Sequence, residues 1–285
     1  MKNLILGLIK GTATFLSWLG PKAASPMLQR LFLSPMPRPL HKREQAIMER
    51  AQVQRIAFDA RREIPLYTWG ERGPLILLVH GWSGRGSQLS GYVEALLAKG
   101  FRVAAFDAPG HGLADGKLAA LPWWSRSVLL AKEHLGPIHG VLAHSLGTAA
   151  VTRAQADGLD AKAMVYVAPP ENPGNYLYKT AETLGFSRAA ATLAQAEIEG
   201  RFSVTMDDFQ GRVLAPQMGA ELQVFHDEGD QEVLFSEGQA LVSHWPNARL
   251  QSFHGLGHNR ILREPAVLSG TVSFFTESLS QQATT

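Results

Sequence analysis

From about residue 52 the chain alternates between short apolar runs and longer segments with one apolar side. "PLILLVH" (74 to 80) is a continuous apolar run, as expected of a strand buried on both faces of a parallel sheet. Ahead of it, "VQRIAF" and "IPLYTW" flank the polar "DARRE", which predicts a β-hairpin. Behind it the pattern predicts a helix over 87–99, the strand "RVAAFD", a helix over 123–135, the strand "HGVLAH", a helix over 146–156 and the strand "AMVYVA". An irregular helical stretch, 171–215, precedes the strand "LQVFH". A helix over 235–243, the strand "RLQSFH" and a last helix near 262–278 complete the series. Strands alternating with helices predict an α/β fold with a doubly wound, mainly parallel sheet and helices on both faces. The segment from about 169 to 215 is too long for a simple connector and reads as a small helical lid.

The first 45 residues follow another pattern. "KNLILGLIKGTATFLSWLG" is apolar but interrupted by Lys10, so its unbroken apolar run falls far short of the ~18 residues of a spanning helix. Lys10 also divides any signal-like core, and Lys22 stands where a cleavage site wants a small residue. Leu4, Leu8, Phe15 and Leu19 fall on one side of a helix. That side is expected to pack on the domain; the alternative is weak contact with an anionic membrane surface. "SPMPRPLHKRE" (34 to 44) is Pro-rich and basic and reads as a linker. The expected organisation is a helical extension and linker over 1–45, then one α/β domain over 46–285 carrying the lid.

Composition narrows the function classes. Apolar residues make up 45% of the 285 and charged residues 18%, the latter low against a typical ~25%, which favours a well-buried core. A net charge of +2, with no basic cluster interleaved with aromatics, gives no basis for a nucleic-acid partner. There is no cysteine, which excludes disulfides, a thiol nucleophile and Cys-ligated metal and suits a cytoplasmic location, with the extension allowing a place peripheral to the membrane. No H-E-x-x-H or similar spacing points to a metal, and no cofactor is expected.

In open α/β sheets chemistry gathers beyond the carboxyl ends of the strands, and His80, Asp107, Ser145, Asp230 and His258 all follow predicted strands. "AHSLG" (143 to 147) is one residue short of the G-x-S-x-G elbow, with Ala143 in place of the first glycine. The elbow is a strand-to-helix turn so tight that the residues two before and two after the serine must be small, and it aims helix N–H groups at the site. Taken alone, Ser145 could equally be an ordinary helix cap.

Together, "LLVHGWSG", "FDAPGHG", "AHSLG", "HDEGD" and "GLGHN" resemble the α/β-hydrolase superfamily over about residues 52 to 278. The resemblance implies a Ser, acid, His order along the chain, with Ser145 as nucleophile. It implies His258 as base, with His254 its main competitor for the part. It also implies an oxyanion hole made by the backbone N–H groups of Trp82 and Leu146. His80 reads as structural, His144 as pointing away from the elbow, His111 as locally hydrogen-bonded, and His226 and His139 as strand-end residues. The superfamily pattern sets the acid at Asp230; Asp227, expected to shape the turn, and Glu171, at an alternative location used by some members, stay open.

These parts imply a serine carboxylesterase or lipase-like hydrolase acting on a small-molecule acyl ester or thioester through an acyl-enzyme. Aromatics in "NPGNYLYKTAETLGF" could line the acyl pocket or simply pack the lid. An acyltransferase with the same triad, or a non-catalytic binding module on the same fold, are the alternatives. A dehalogenase would need a carboxylate where Ser145 stands.

Overall fold

The computed structural model describes residues 2–280. Eight strands form one sheet: β1 (Gln52–Ala57), β2 (Glu63–Trp69), β3 (Leu75–Val79), β4 (Arg102–Phe106), β5 (Gly140–His144), β6 (Ala163–Val167), β7 (Glu221–Asp227) and β8 (Ala248–Phe253). Their spatial order is β1-β2-β4-β3-β5-β6-β7-β8. β1 pairs antiparallel with β2, β2 antiparallel with β4, and every other pair is parallel. Every residue of β3, β5 and β6 is buried, which is why these strands read as unbroken apolar runs.

Twelve α-helices accompany the sheet among the described residues: α1 (Lys2–Leu19), α2 (Pro21–Phe32), α3 (Lys42–Glu49), α4 (Val93–Leu97), α5 (Leu121–Leu135), α6 (Leu146–Ala156), α7 (Asn175–Leu184), α8 (Arg188–Phe202), α9 (Gly211–Leu214), α10 (Phe235–His244), α11 (Gly257–Arg260) and α12 (Pro265–Ser280). Two apolar cores cover the two faces of the sheet. Leu77, Val79, Phe106, Trp124 and Val141 belong to one; Ile76, Leu78, Val165, Phe225 and Phe275 belong to the other. From β3 the chain returns to β4 on one side, while β5 lies on the other. Reversal of strand order at that point opens a crevice beyond the carboxyl ends of β3 and β5. Pairing of Val79 with Ala143 brings the segments after both strands, residues 80–82 and Ser145, to the same level of that crevice.

The hairpin and the parallel strands lie where the sequence puts them; three stretches differ. The helix expected over 87–99 is a 3-10 helix over Gly86–Tyr92 followed by short α4, because Ser87, Ser90 and Gly91 are poor interior helix residues. The Pro-rich linker is irregular only to His41, where α3 begins.

At the N-terminus two helices stand in place of one, broken at Gly20 and Pro21, and they pack on α7 and α8 through a third apolar cluster that includes Ala13, Leu28, Leu177, Ala190 and Ile198. The side of α1 expected to face the domain faces outward: Leu4, Leu8, Phe15 and Leu19 are 69, 64, 58 and 55% exposed. Small Ala13 lets α1 approach its neighbours closely, so the contact forms on the side opposite the large side chains.

Candidate active site

β5 ends at His144, and the chain turns into α6 through Ser145, whose φ of 53° and ψ of −131° lie far outside the usual range of a side-chain-bearing residue. Backbone of this kind costs on the order of 1–3 kcal/mol and persists only where its surroundings impose it. Here the imposing contact is visible. A Cβ on Gly147 would sit 2.4 Å from the His80 carbonyl oxygen, so α6 presses directly against the end of β3. At the other small position Ala143 is fully buried within the sheet, so a methyl group is tolerated there.

Ser145 Oγ lies 2.9 Å from His258 Nε2, and His258 Nδ1 lies 2.7 Å from Asp230 Oδ2. The other carboxylate oxygen, Oδ1, accepts the N–H groups of Glu232 at 2.8 Å and Val233 at 3.1 Å. With Asp230 as acceptor, Nδ1 carries the imidazole proton, leaving Nε2 free to accept from the serine hydroxyl. Burial pushes the Asp230 pKa up, but the nearby His226 ring, the hydrogen bond with His258 and the N–H of Val233 outweigh it, holding the carboxyl well below its usual range. Three elements thus converge: the β5–α6 turn, the turn after β7, and the loop into α11.

Next to the serine, the N–H groups of Trp82 and Leu146 find no acceptor among the described residues. The chain passes Ser145 closely there, since a Cβ on Gly81 would lie 2.6 Å from His144 Nδ1 and 3.1 Å from Ser145 Cβ. The loop is held by Gln88, whose Oε1 accepts the Gly81 N–H at 2.7 Å.

Each other candidate has a different task. Asp227 accepts the Gly229 N–H at 2.9 Å and the Leu256 N–H at 2.8 Å, so it does shape the turn and also ties it to the loop bearing His258. Glu171 accepts the Arg212 N–H at 3.0 Å and makes no contact with His258. His254 is mostly exposed, 3.6 Å from Glu228. Asp107 is buried and pins two loops, accepting from Gly86 N at 2.5 Å, Leu113 N at 2.7 Å and the Tyr67 hydroxyl at 2.9 Å. His139 Nδ1 accepts the Leu75 N–H at 3.1 Å ahead of β3 and β5, at the start rather than the end of the strands.

His80 accepts the Ala108 N–H through Nε2 at 3.1 Å, as its structural reading implies, and burial pushes its pKa down to about 4. His111 meets the Pro109 carbonyl through Nδ1 at 3.3 Å, and burial together with the nearby His80 brings it to about 3. His226 Nε2 donates to the Val233 carbonyl at 3.0 Å and lies 3.6 Å from Asp230 Oδ2, a neighbour of Asp230 that sequence reasoning missed. His144 does not point away from the site. Its ring packs 4.6 Å from that of His258, and its Nε2 lies 3.0 Å from the His258 carbonyl oxygen.

Beside Trp82 and Leu146 lies an apolar cavity walled by Phe32 and Leu33 of the N-terminal extension and by Ile198, Phe202 and Phe209 of the insertion. Of the two places open to the aromatics of "NPGNYLYKTAETLGF", Tyr178 and Phe186 take the lid-packing one: Phe186 is buried among the helices, Tyr178 donates to Gln195 at 2.6 Å, and Tyr176 donates to Glu237 at 3.0 Å. Among the described residues no cluster of His, Asp and Glu could hold a metal ion, and no helix is long and apolar enough to cross a membrane.

A serine-bearing strand-to-helix elbow at the switch point of a doubly wound sheet is the arrangement of a broad class of hydrolytic folds. The model of the alpha/beta hydrolase family matches residues 76–271, and the chain belongs to that family. No curated protein matches it. Among solved structures, it resembles the Pyrococcus furiosus esterase Pf2001 with a TM-score of 0.63 at 17% identity, covering 86% of this chain and 99% of that one. Est1E from Butyrivibrio proteoclasticus, solved with ferulic acid bound, gives 0.62 at 20%, covering 80% and 99%. A bromoperoxidase from Bacillus anthracis gives 0.61 at 14%, covering 79% and 100%. Identities this low speak for the fold alone.

Proposed function

We propose that the protein is a serine hydrolase that cleaves carboxylic esters or thioesters of apolar acyl groups through an acyl-enzyme. The observation that carries this reading is the unbroken chain from Ser145 Oγ through the His258 ring to Asp230, at 2.9 and 2.7 Å. Ser145 Oγ attacks the acyl carbon as its proton passes to His258 Nε2. Asp230 keeps the imidazole in the accepting tautomer and stabilises the imidazolium. The N–H groups of Trp82 and Leu146 receive the developing oxyanion, a role in which one donor is worth ~2.7–4 kcal/mol elsewhere. The bond to the alcohol or thiol then breaks, and His258 returns the proton to that leaving group. Water attacks the acyl-enzyme with His258 again taking its proton, which releases the acid and restores the serine.

The apolar cavity beside the proposed oxyanion donors fits an acyl chain or aromatic acyl group better than a charged one. Helix α8, which walls it through Ile198 and Phe202, serves as part of the lid. The test is labelling by a fluorophosphonate probe together with hydrolysis of p-nitrophenyl esters from acetate to palmitate. Labelling confined to Ser145 with turnover across part of that series is expected; no labelling and no turnover would leave a binding module on the same fold.

A further inference from the structure

A surface helix normally turns its apolar side toward the protein and its polar side toward water. α1 does the reverse. Its inner side is fixed by Ala13, which is fully buried, by half-buried Leu16 and by Ser17 Oγ, which accepts the Ser187 N–H at 3.0 Å, while its largest apolar side chains stay outside. Its outer side carries Leu4, Leu8, Phe15, Trp18 and Leu19, with Trp18 79% exposed and stacked on Phe15 at a centroid distance of 6.2 Å. None of these side chains has a protein surface to cover it, and together they form a contiguous apolar patch of the kind that marks an interaction site.

Charge identifies the occupant. Residues 1–43 hold seven Lys and Arg and no Asp or Glu, and Lys10, Lys22 and Arg30 are exposed. Large aliphatic and aromatic side chains next to lysines suit a helix lying in the headgroup region of a bilayer, with rings and leucines among the upper acyl carbons and ammonium groups at the phosphates. Basic residues near an anionic leaflet add attraction that salt screens. Among the described residues no helix is long and apolar enough to span, and a helix of this kind lies on the membrane.

We infer that α1 docks the protein on an anionic phospholipid surface through Leu4, Leu8, Phe15, Trp18 and Leu19. Because the α1–α2 pair packs on α7 and α8, and Phe32 and Leu33 wall the apolar cavity, docking brings the roof of that cavity to the lipid. The inference does not depend on the ester reading, since protein partition and hydrolysis are measured separately.

The full chain is mixed with phosphatidylglycerol/phosphatidylcholine vesicles, with pure phosphatidylcholine vesicles, or with none, and sedimented at several salt concentrations. Pelleting with the anionic vesicles that weakens as salt rises is expected. The double variant Leu8→Glu, Trp18→Glu should lower partition at least about tenfold, from the apolar burial removed, while its hydrolysis of a soluble short-chain ester matches the parent. Equal recovery in the supernatant with and without vesicles overturns the inference, as does pelleting unchanged in the double variant. A dimer of the parent that the double variant converts to monomer, without vesicle binding by either, assigns the patch to a second copy of the chain instead.

Discussion

His144 Nε2 donates to the carbonyl oxygen of His258 across 3.0 Å, so the residue preceding Ser145 holds the loop that carries His258. Burial and the adjacent His258 keep the His144 pKa well below its usual value, so its ring is too weak a base to compete for the proton of Ser145. His144 is therefore a positioning residue. His144→Phe keeps the ring and loses the donor, and a net hydrogen-bond contribution of ~1 kcal/mol corresponds to roughly a fivefold fall in kcat with little change in KM. His144→Gln, which retains a donor, should recover part of that loss. A fall in thermal stability with kcat intact would make the contact merely structural.

Asp230 and Asp227 share one turn but face different partners, and substitution separates them. Asp230→Asn removes the acceptor that fixes the His258 tautomer; a comparable change elsewhere lowered kcat about 10⁴-fold, so a fall of at least two to three orders of magnitude is expected. Asp227→Asn weakens the tie to Leu256 and should cost ~1–2 kcal/mol of stability while kcat stays within about tenfold. Glu171→Gln should also leave kcat within about tenfold. Steady-state kinetics beside circular dichroism decides; a near-normal Asp230→Asn would remove it from the triad.

The strained backbone at Ser145 gives an independent check on the elbow. Ser145→Ala and Ser145→Gly should both abolish ester turnover, but glycine alone relieves the conformation at φ 53°, ψ −131°. Part of the ~1–3 kcal/mol of strain is returned, less the ~0.5–1 kcal/mol entropic cost of glycine, so the glycine variant should melt a few degrees above the alanine variant. Equal melting temperatures would mean the turn stores no strain.

What the sequence reveals follows from how locally each feature is encoded. β3, β5 and β6 are buried on both faces, so their composition alone announces them, and Ser145, Asp230 and His258 lie at strand ends where chemistry is expected. Pro21 and Pro26 obscure α2 in the sequence, since proline disfavours a helix interior, although Pro21 occupies the first turn, where its missing N–H is harmless. Periodicity shows that α1 is amphipathic but not which side meets the protein. The cavity was hidden for another reason: Phe32, Trp82, Leu146 and Phe202 come from four distant segments that no local pattern connects. His144 likewise acts on a loop 114 residues away.

Three buried neutral histidines set the acid limit of the fold. His80 and His111 lie 4.9 Å apart, each 4.8 Å from Trp124, with pKa values pushed down to about 4 and about 3, and His144 is depressed as well. Above an unfolded value of ~6.5 these side chains are neutral in both states and do not make stability pH-dependent. Below it the unfolded chain takes up protons that the folded chain refuses until pH falls to the folded values, so stability is lost as pH drops from ~6.5 toward ~4. Each histidine contributes up to about 1.4 kcal/mol per pH unit within its window. Asp230, also depressed, adds its loss only lower, as pH falls below the usual carboxylate range toward its folded value. Urea unfolding at pH values from about 7 to 5, above the carboxylate window, should show declining free energy in the parent, and the slope should be shallower by about one proton in His111→Leu. A flat profile across that range would mean that these imidazoles are protonated in the folded protein.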